Sequence, residues 1–475
     1  MVAVSVIAQD KTAIKYAKTI TAEDLKSHLS IIASDEYEGR ETGKKGQKMA
    51  AKYIANHFKT LGFEAPVDGS YFQTFDLKQS TIGNVYFRIG EEKKMGFDDF
   101  IYYSSSETAG EEYIKVVVAE EDDSNIKTYK GAYVTYIVEQ LGGLQDRMTL
   151  AGENGALGFL IVVKNDSEFQ STLSRFGQYL RRPSLNLGGR NEESDKMIIA
   201  SKEVAAWIFQ KEFDAIKTED TATVIFNADY LDKPVSTENV LGYLKGTEKP
   251  EELLIITSHY DHVGIINGEI HNGADDDGSG TVSVLEIAEA FAEAAKKGKG
   301  PKRSILFMTV TGEEKGLLGS RYYTDFDPIF PLENTVANLN IDMVGRVDDK
   351  HKDNSDYIYL IGSDKLSTEL HDLSERVNKT YTDLELDYTY NDENDPNRFY
   401  YRSDHYNFAK NEVPIIFYFN GTHEDYHKPT DTVEKIDFET MEKRARLVFH
   451  TGWEIANQET RLKVDKMKTK MDDKN

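Results

Sequence analysis

Residues Ile255–Gly280 read IITSHYDHVGIINGEIHNGADDDGSG, and this stretch decides the fold. Leu253–Thr257 is a short apolar, β-branched run with the length of an interior strand. It ends in His259, Tyr260 and Asp261, crosses a turn-rich connection, and reaches Gly273-Ala274-Asp275-Asp276-Asp277-Gly278-Ser279-Gly280. Val282, Leu285, Ala288 and Phe291 then recur at helical spacing, as on the apolar stripe of a helix that covers a sheet. Ligands in open α/β sheets bind beyond the carboxyl ends of the strands, which is where His259 and Asp261 fall. A histidine with a carboxylate two residues on suits a metal site. One ring nitrogen coordinates, and the carboxylate holds the other N–H and so fixes the tautomer. The same residues also fit a strand-end histidine followed by aspartates that cap a helix.

Other strand ends carry similar chemistry. Ser304–Thr311 reads as a strand and runs into Gly312, Glu313 and Glu314. Adjacent carboxylates at such a turn can diverge, one towards a metal and the other towards the reacting water. Val336–Ile341 ends in Asp342, and Val413–Phe419 runs into NGTHEDYHKP, Asn420–Pro429, where His423 or His427 could be a ligand. A lone acid after a strand is usually a turn former or cap, so Asp342 matters by its company.

Upstream, Thr21 and Asp24 have the spacing of a capping box at the start of a helix in Ile20–Ser34. Gln47–Leu61 is an amphipathic helix closed by Gly62, and its His57 reads as packed or solvated. From about Leu77 to Pro234 strands dominate, in Val85–Ile89, Tyr113–Ala119, Ala132–Val138 and Phe159–Val163, with Arg175–Arg182 a basic patch on a solvated face. After it the chain alternates strand and helix, with helices over Leu366–Asn378 and Phe438–Ala456. Lys463–Asn475 is a charged tail expected to fray.

The chain has 475 residues, room for a large core and more than one domain. Its 57 basic and 82 acidic residues give a net charge of −25, which argues against a nucleic-acid partner and a basic membrane-binding face. It has no cysteine, so disulfides, thiolate metal sites and a cysteine nucleophile are excluded. No apolar run reaches the ~18 residues of a membrane span. Met1–Ala8, MVAVSVIA, is apolar but short and lacks basic residues at its start. It reads as the trimmed end of an export signal, periplasmic or extracellular, or as a ragged terminus.

SHYDHVG, GADDDGSG, TGEEKGLLGS, NLNIDMVG, RSDHYNF and YHKPTDT follow one another in order. Together they resemble the zinc-dependent aminopeptidases of the bacterial leucyl aminopeptidase and aminopeptidase Y type, which share their fold with glutamate carboxypeptidase II. The resemblance covers Thr237 to about Ala456 and the piece from Thr21 to about Phe75 with its SDEYEGRETG. It implies an α/β fold, a three-layer αβα mixed-sheet peptidase domain of the phosphorylase/hydrolase type, with an inserted mostly-β domain. The expected layout is a leader or ragged terminus over 1–20, the peptidase domain in two parts over 21–76 and 236–460, an insert of the protease-associated type over 77–235, and a tail over 461–475.

Residue by residue, the resemblance implies two zinc ions bridged by Asp276, with His259 and Asp342 completing one ligand set and Glu314 and His427 the other. Asp261 would orient His259. Glu313 would be the general base on the metal-bridging water. Tyr426, directly before the last ligand, would steady the oxyanion, although a packed loop aromatic explains it too. Asp404 would lie behind the ligands, and the Asp276–Asp277 peptide is expected to be cis. The implied activity is removal of amino-terminal residues from peptide substrates. A related zinc carboxypeptidase, a cyclising glutaminyl enzyme and a non-catalytic receptor are the alternatives. The cyclising relatives usually lack the paired aspartates of Ala274-Asp275-Asp276, and the receptor lacks working ligands.

Overall fold

The computed structural model describes residues 9–124, 126–188 and 196–466. They form two compact units, Met1–Asp76 with Ser236–Asn475, and Leu77–Val235. The larger unit begins with three helices, α1 (Lys11–Ala17), α2 (Ala22–Ile32) and α3 (Lys45–Leu61). Thr21 caps α2 by accepting from the Asp24 amide at 3.1 Å while its hydroxyl donates to the Asp24 carboxylate at 2.7 Å. Gly62 ends α3 in the left-handed region at φ 82°, which costs glycine nothing for want of a Cβ.

The rest of this unit is a mixed sheet with helices between its strands. In chain order these are the end of β1 (Thr221–Leu244), β2 (Lys249–His259), α4 (Gly280–Lys296), β3 (Arg303–Val310), β4 (Thr335–Ile341), β5 (Tyr357–Ile361), α5 (Thr368–Tyr381), β6 (Glu385–Asp387), β7 (Ile415–Phe419) and α6 (Phe438–Asn457). Across the sheet the order is β6-β5-β7-β4-β2-β3-β1. The inner run β7, β4, β2 and β3 is parallel, and β5 and β1 pair antiparallel on either side of it.

Alternation along the strands builds two cores. Leu254, Ile256, Ile305, Phe307 and Leu339 pack with residues of α1 to α6. Leu253, Ile255, Leu306, Met308 and Val310 face the other way, onto Tyr323, Leu366 and Phe408. Both faces are therefore covered, which is why these strands read as continuous apolar runs instead of alternating ones. Truncating one such side chain to alanine costs roughly 2–5 kcal/mol. The parallel strands end at one rim, and that rim carries the loops with His259, Glu313, Glu314, Asp342 and His427.

Leu77–Val235 contains a parallel run, Glu112–Val118, Tyr133–Val138, Gly158–Val163 and Met197–Ser201. Phe100–Tyr103 and the first part of β1 pair antiparallel at its two sides. Helices Gln145–Glu153, Asp166–Leu180 and Lys202–Phe209 accompany it. The second of these covers most of the basic patch, where Arg181 pairs with Asp98 at 2.9 Å.

Both ends of the described chain pack on the main core. Within the stretch 1–20, α1 buries Ala13, Tyr16 and Ala17 there. Met1–Ala8 lies outside the described residues. At the other end Leu462 is buried in the same core, and Asp465 accepts from the Thr368 amide at 2.8 Å. The tail is thus laid down to residue 466, and its remainder lies outside the described residues. No helix among the described residues is long and apolar enough to cross a membrane.

Candidate metal centre

The expected ligands other than Asp276, and the expected base Glu313, stand at or beyond the carboxyl ends of parallel strands. His259 is the last residue of β2, Asp342 follows β4 directly, Glu313 and Glu314 follow the left-handed Gly312 after β3, and His427 lies in the loop after β7. The structure brings all five together with Asp276. His259 Nε2 is 3.4 Å from Asp276 Oδ1 and 3.5 Å from Asp342 Oδ1. His427 Nε2 is 3.0 Å from Asp276 Oδ2 and 3.2 Å from Glu314 Oε2. The two oxygens of Asp276 thus face two different imidazoles. Glu313 Oε2 lies 3.8 Å from His259 Nε2, nearer the first group. The Asp276–Asp277 peptide is cis.

The three aspartates of GADDDG do different things. Asp277 spends its carboxylate on backbone, accepting from His259 N, Gly280 N and Met343 N at 2.9–3.1 Å. It ties the end of β2, the start of α4 and the loop after β4 together. Asp275 accepts from Gly345 N and Ser279 Oγ and meets His423 Nε2 at 3.1 Å. His423 is thereby engaged away from the ligand groups, and His427 is the histidine of that loop that meets Asp276. Asp431, of the KPTDT motif, accepts from the Asp275 and Asp276 amides, and burial pushes its carboxyl up to about 6.

Burial alone would raise the pKa of every acid here. It does so for Glu313, whose carboxyl is held well above the usual range by desolvation and by the neighbouring Glu314 and Asp342. At Asp276 desolvation is outweighed by the His259 and His427 rings, and the carboxyl falls well below its ordinary value. Glu314 falls to about 2 against desolvation and the Asp276 charge, through His262 and His427. In turn the His427 ring, despite its burial, is raised to about 10 by Asp276 and Glu314.

Asp261 acts differently from expectation. Its carboxylate is 3.8 Å from His259 Nδ1, whereas its backbone carbonyl is 3.1 Å away and takes the ring N–H. The carboxylate instead accepts from Thr42 Oγ1 at 2.7 Å and Glu313 N at 3.3 Å. A carbonyl fixes a tautomer as well as a carboxylate does, so the carboxylate is free to position the Glu313 turn. Asp404 is fully buried and bonded to Ser320. Its neighbour Ser403 is the one that reaches the centre, donating to Asp342 Oδ2 at 2.6 Å. Tyr426 stacks on His427 with ring centroids 4.0 Å apart and lines a cleft together with Glu313, Met343, Phe399, Phe417 and Phe419.

Two residues escaped the sequence reading. Arg40, in EGRETG, is fully buried and donates to the carbonyls of Ile32, Tyr260, Asn272 and Gly273 at 2.7–2.8 Å. It pins both ends of the loop between the two ligand clusters. His262 is fully buried, with Nδ1 2.7 Å from Glu314 Oε1 and 3.8 Å from Asp276 Oδ2. The signal for it was present in SHYDHVG, one residue beyond Asp261.

The donor set fits zinc. His259, Asp276 and Asp342, and separately His262, Asp276 and Glu314, present ligand atoms within 4.8 Å of one another. Imidazole nitrogen and carboxylate oxygen are ordinary zinc donors. Asp276 Oδ2, Glu314 Oε1 and both ring nitrogens of His262 are buried without a well-directed hydrogen bond, although other donors stand close. Buried polar atoms rarely stay unsatisfied, and atoms that approach without aligning on each other suit a shared cation between them.

Comparison with known proteins agrees with this chemistry. The description Peptidase family M28 matches residues 239–452. A probable zinc metalloprotease of Pyrenophora tritici-repentis is 38% identical over 119 residues, 24% of this chain and 23% of that protein. Aminopeptidase YwaD of Bacillus subtilis is 28% identical over 247 residues, 50% of this chain and 49% of that one. The chain thus spans between about a quarter and half of the length of these curated relatives. The solved structure of an aminopeptidase from Aneurinibacillus sp. strain AM-1 superposes with a TM-score of 0.55 at 18% identity, covering 96% of this chain and 98% of that one, and so shares the fold. Residues 239–452, which hold every one of these ligand positions, are thus the part of the chain that matches peptidase family M28.

Proposed function

We propose that the chain is a dizinc exopeptidase that removes amino-terminal residues from peptides. The observation that carries this reading is Asp276, whose two oxygens face separate imidazoles at 3.4 and 3.0 Å. His259, Asp342 and Asp276 would hold one ion, and Glu314, His427 and Asp276 the other. Such ions, when bound, acidify water and polarise the scissile carbonyl. The remaining steps belong to the chain. Glu313 is held by its backbone on Asp261, faces the first ligand group, and takes a proton from the attacking water and hands it to the leaving amine. Tyr426 donates its phenol hydrogen to the developing oxyanion. The aromatic wall of Phe399, Phe417 and Phe419 favours an apolar side chain on the residue released. By its place in the chain, Leu77–Val235 is assigned as an insert of the protease-associated type.

The test is a cleavage profile over matched peptides with free and acetylated amino termini, with chelated and zinc-restored protein as controls. Stepwise release from free amino termini, abolished by chelator, is expected. Equal cleavage of the acetylated set overturns the exopeptidase assignment, and release from the carboxyl end selects the carboxypeptidase alternative.

A further inference from the structure

A second group of metal-ligating side chains lies among the helices of the peptidase unit. His28 on α2, His57 on α3 and Glu289 on α4 each offer a ligand atom, and these atoms lie within 4.8 Å of one another. α2 and α3 each pack against α4. His57 Nε2 stands 3.9 Å from Glu289 Oε2, and the two imidazoles meet edge to face with centroids 4.9 Å apart. Glu286, one turn before Glu289 and so on the same face of α4, is only 2% exposed. Its Oε1 is 3.3 Å from His28 Nε2.

Two features separate this group from an ordinary polar cluster. The first is the way the rings are held. His28 Nδ1 bonds the Tyr53 hydroxyl at 2.6 Å, so that its Nε2 faces Glu286, which is how metal-ligating histidines are usually braced. His57 turns its Nε2 towards Glu289. The second is what remains unsatisfied. His57 Nε2 and Glu286 Oε1 are buried without a well-directed hydrogen bond.

The geometry points to a further metal site, in which His28, His57 and Glu289, with Glu286 as a fourth donor, hold a divalent transition ion, zinc by its donor preference. Two imidazoles and two carboxylates complete a protein-only ligand set, which marks a structural site, since catalytic sites leave a position open. The ion would clasp α2 and α3 to α4, the helix that starts beside Asp276.

The experiment compares metal content by mass spectrometry in wild type, His57→Gln and Glu289→Gln after saturation with zinc and gel filtration. Each variant is expected to bind one equivalent fewer than wild type, with unchanged far-ultraviolet circular dichroism and unchanged hydrolysis of an aminoacyl amide. Cobalt substitution should give a visible absorption difference between wild type and Glu289→Gln. Tyr53→Phe, which removes the brace on His28, should keep the equivalent but weaken it about 10- to 100-fold. Should His57→Gln fail to fold, Glu289→Gln decides alone, because that side chain is 44% exposed. Equal zinc content in wild type and Glu289→Gln overturns the site and leaves a hydrogen-bonded cluster of Tyr53, His28 and Glu286.

Discussion

The rim of the sheet and the packed faces of α2, α3 and α4 both gather imidazoles and carboxylates, and they do it by different means. On the rim, hydrogen-bonded register places the ends of β2, β3 and β4 side by side: His259 pairs with Val310, and Thr257 with Asn340. Residues a few positions beyond those ends must then converge, whatever the helices do. Among the helices, no register of that kind exists. His28, His57 and Glu289 meet only because Leu25, Leu29, Ile54, Phe58, Leu285 and Ala288 bury the neighbouring faces in one core. A site on strand ends is written into the sequence as short motifs, and a site on helix faces is distributed over it.

That contrast makes a sharp first prediction. Asp276→Ala should strip both ions from the rim and abolish peptidase activity, because Asp276 is the residue shared by both ligand groups. The ion among the helices should remain. Metal analysis beside aminoacyl amide hydrolysis reads both at once, and retention of full metal content and activity would show that the rim site is wrongly assigned. Glu313→Gln comes next in size. All metal should stay, and kcat should fall about 10²–10⁴-fold, the range of general acid–base catalysis, with little change in KM. A loss of zinc in this variant would instead make Glu313 a ligand.

The same contrast explains what the sequence disclosed. Leu253–Thr257, Ser304–Thr311 and Val336–Ile341 were legible because strands buried on both faces are continuous apolar runs, and position made the residues just beyond them candidates, while their roles as ligands or base came from the resemblance. Asp342 had no distinction of its own and was legible only through its neighbours. Choosing His427 over His423 took the resemblance, and the geometric reason, the bond from His423 to Asp275, is a contact across 148 residues. His57 reads as an ordinary packed histidine, since nothing near it in sequence shows that His28 and Glu289 come to meet it. Arg40 was hidden for a related reason. Its four partners are backbone carbonyls, and a carbonyl leaves no trace in a sequence.

His262 lies between the two cases, in a motif on the rim yet invisible as a partner of Glu314, and its substitution gives the smallest effect of the three. Its Nδ1 is 2.7 Å from Glu314 Oε1, on the side of that carboxylate away from the oxygen that meets His427. The ring has room only because residue 273 is glycine: a Cβ there would stand 2.5 Å from the imidazole. An imidazole so placed orients the glutamate, and losing such a partner typically lowers metal affinity about 10- to 100-fold. His262→Gln should therefore weaken one rim ion by that factor and leave the ion on His259 and Asp342 unchanged. Competition with a chelating dye resolves the two as separate affinity classes. Excess zinc should restore kcat in His262→Gln but not in Glu313→Gln, which a general loss of stability would not reproduce. If both rim ions weaken together, the two ligand groups act as one unit through Asp276, and the division of the centre into two halves is lost.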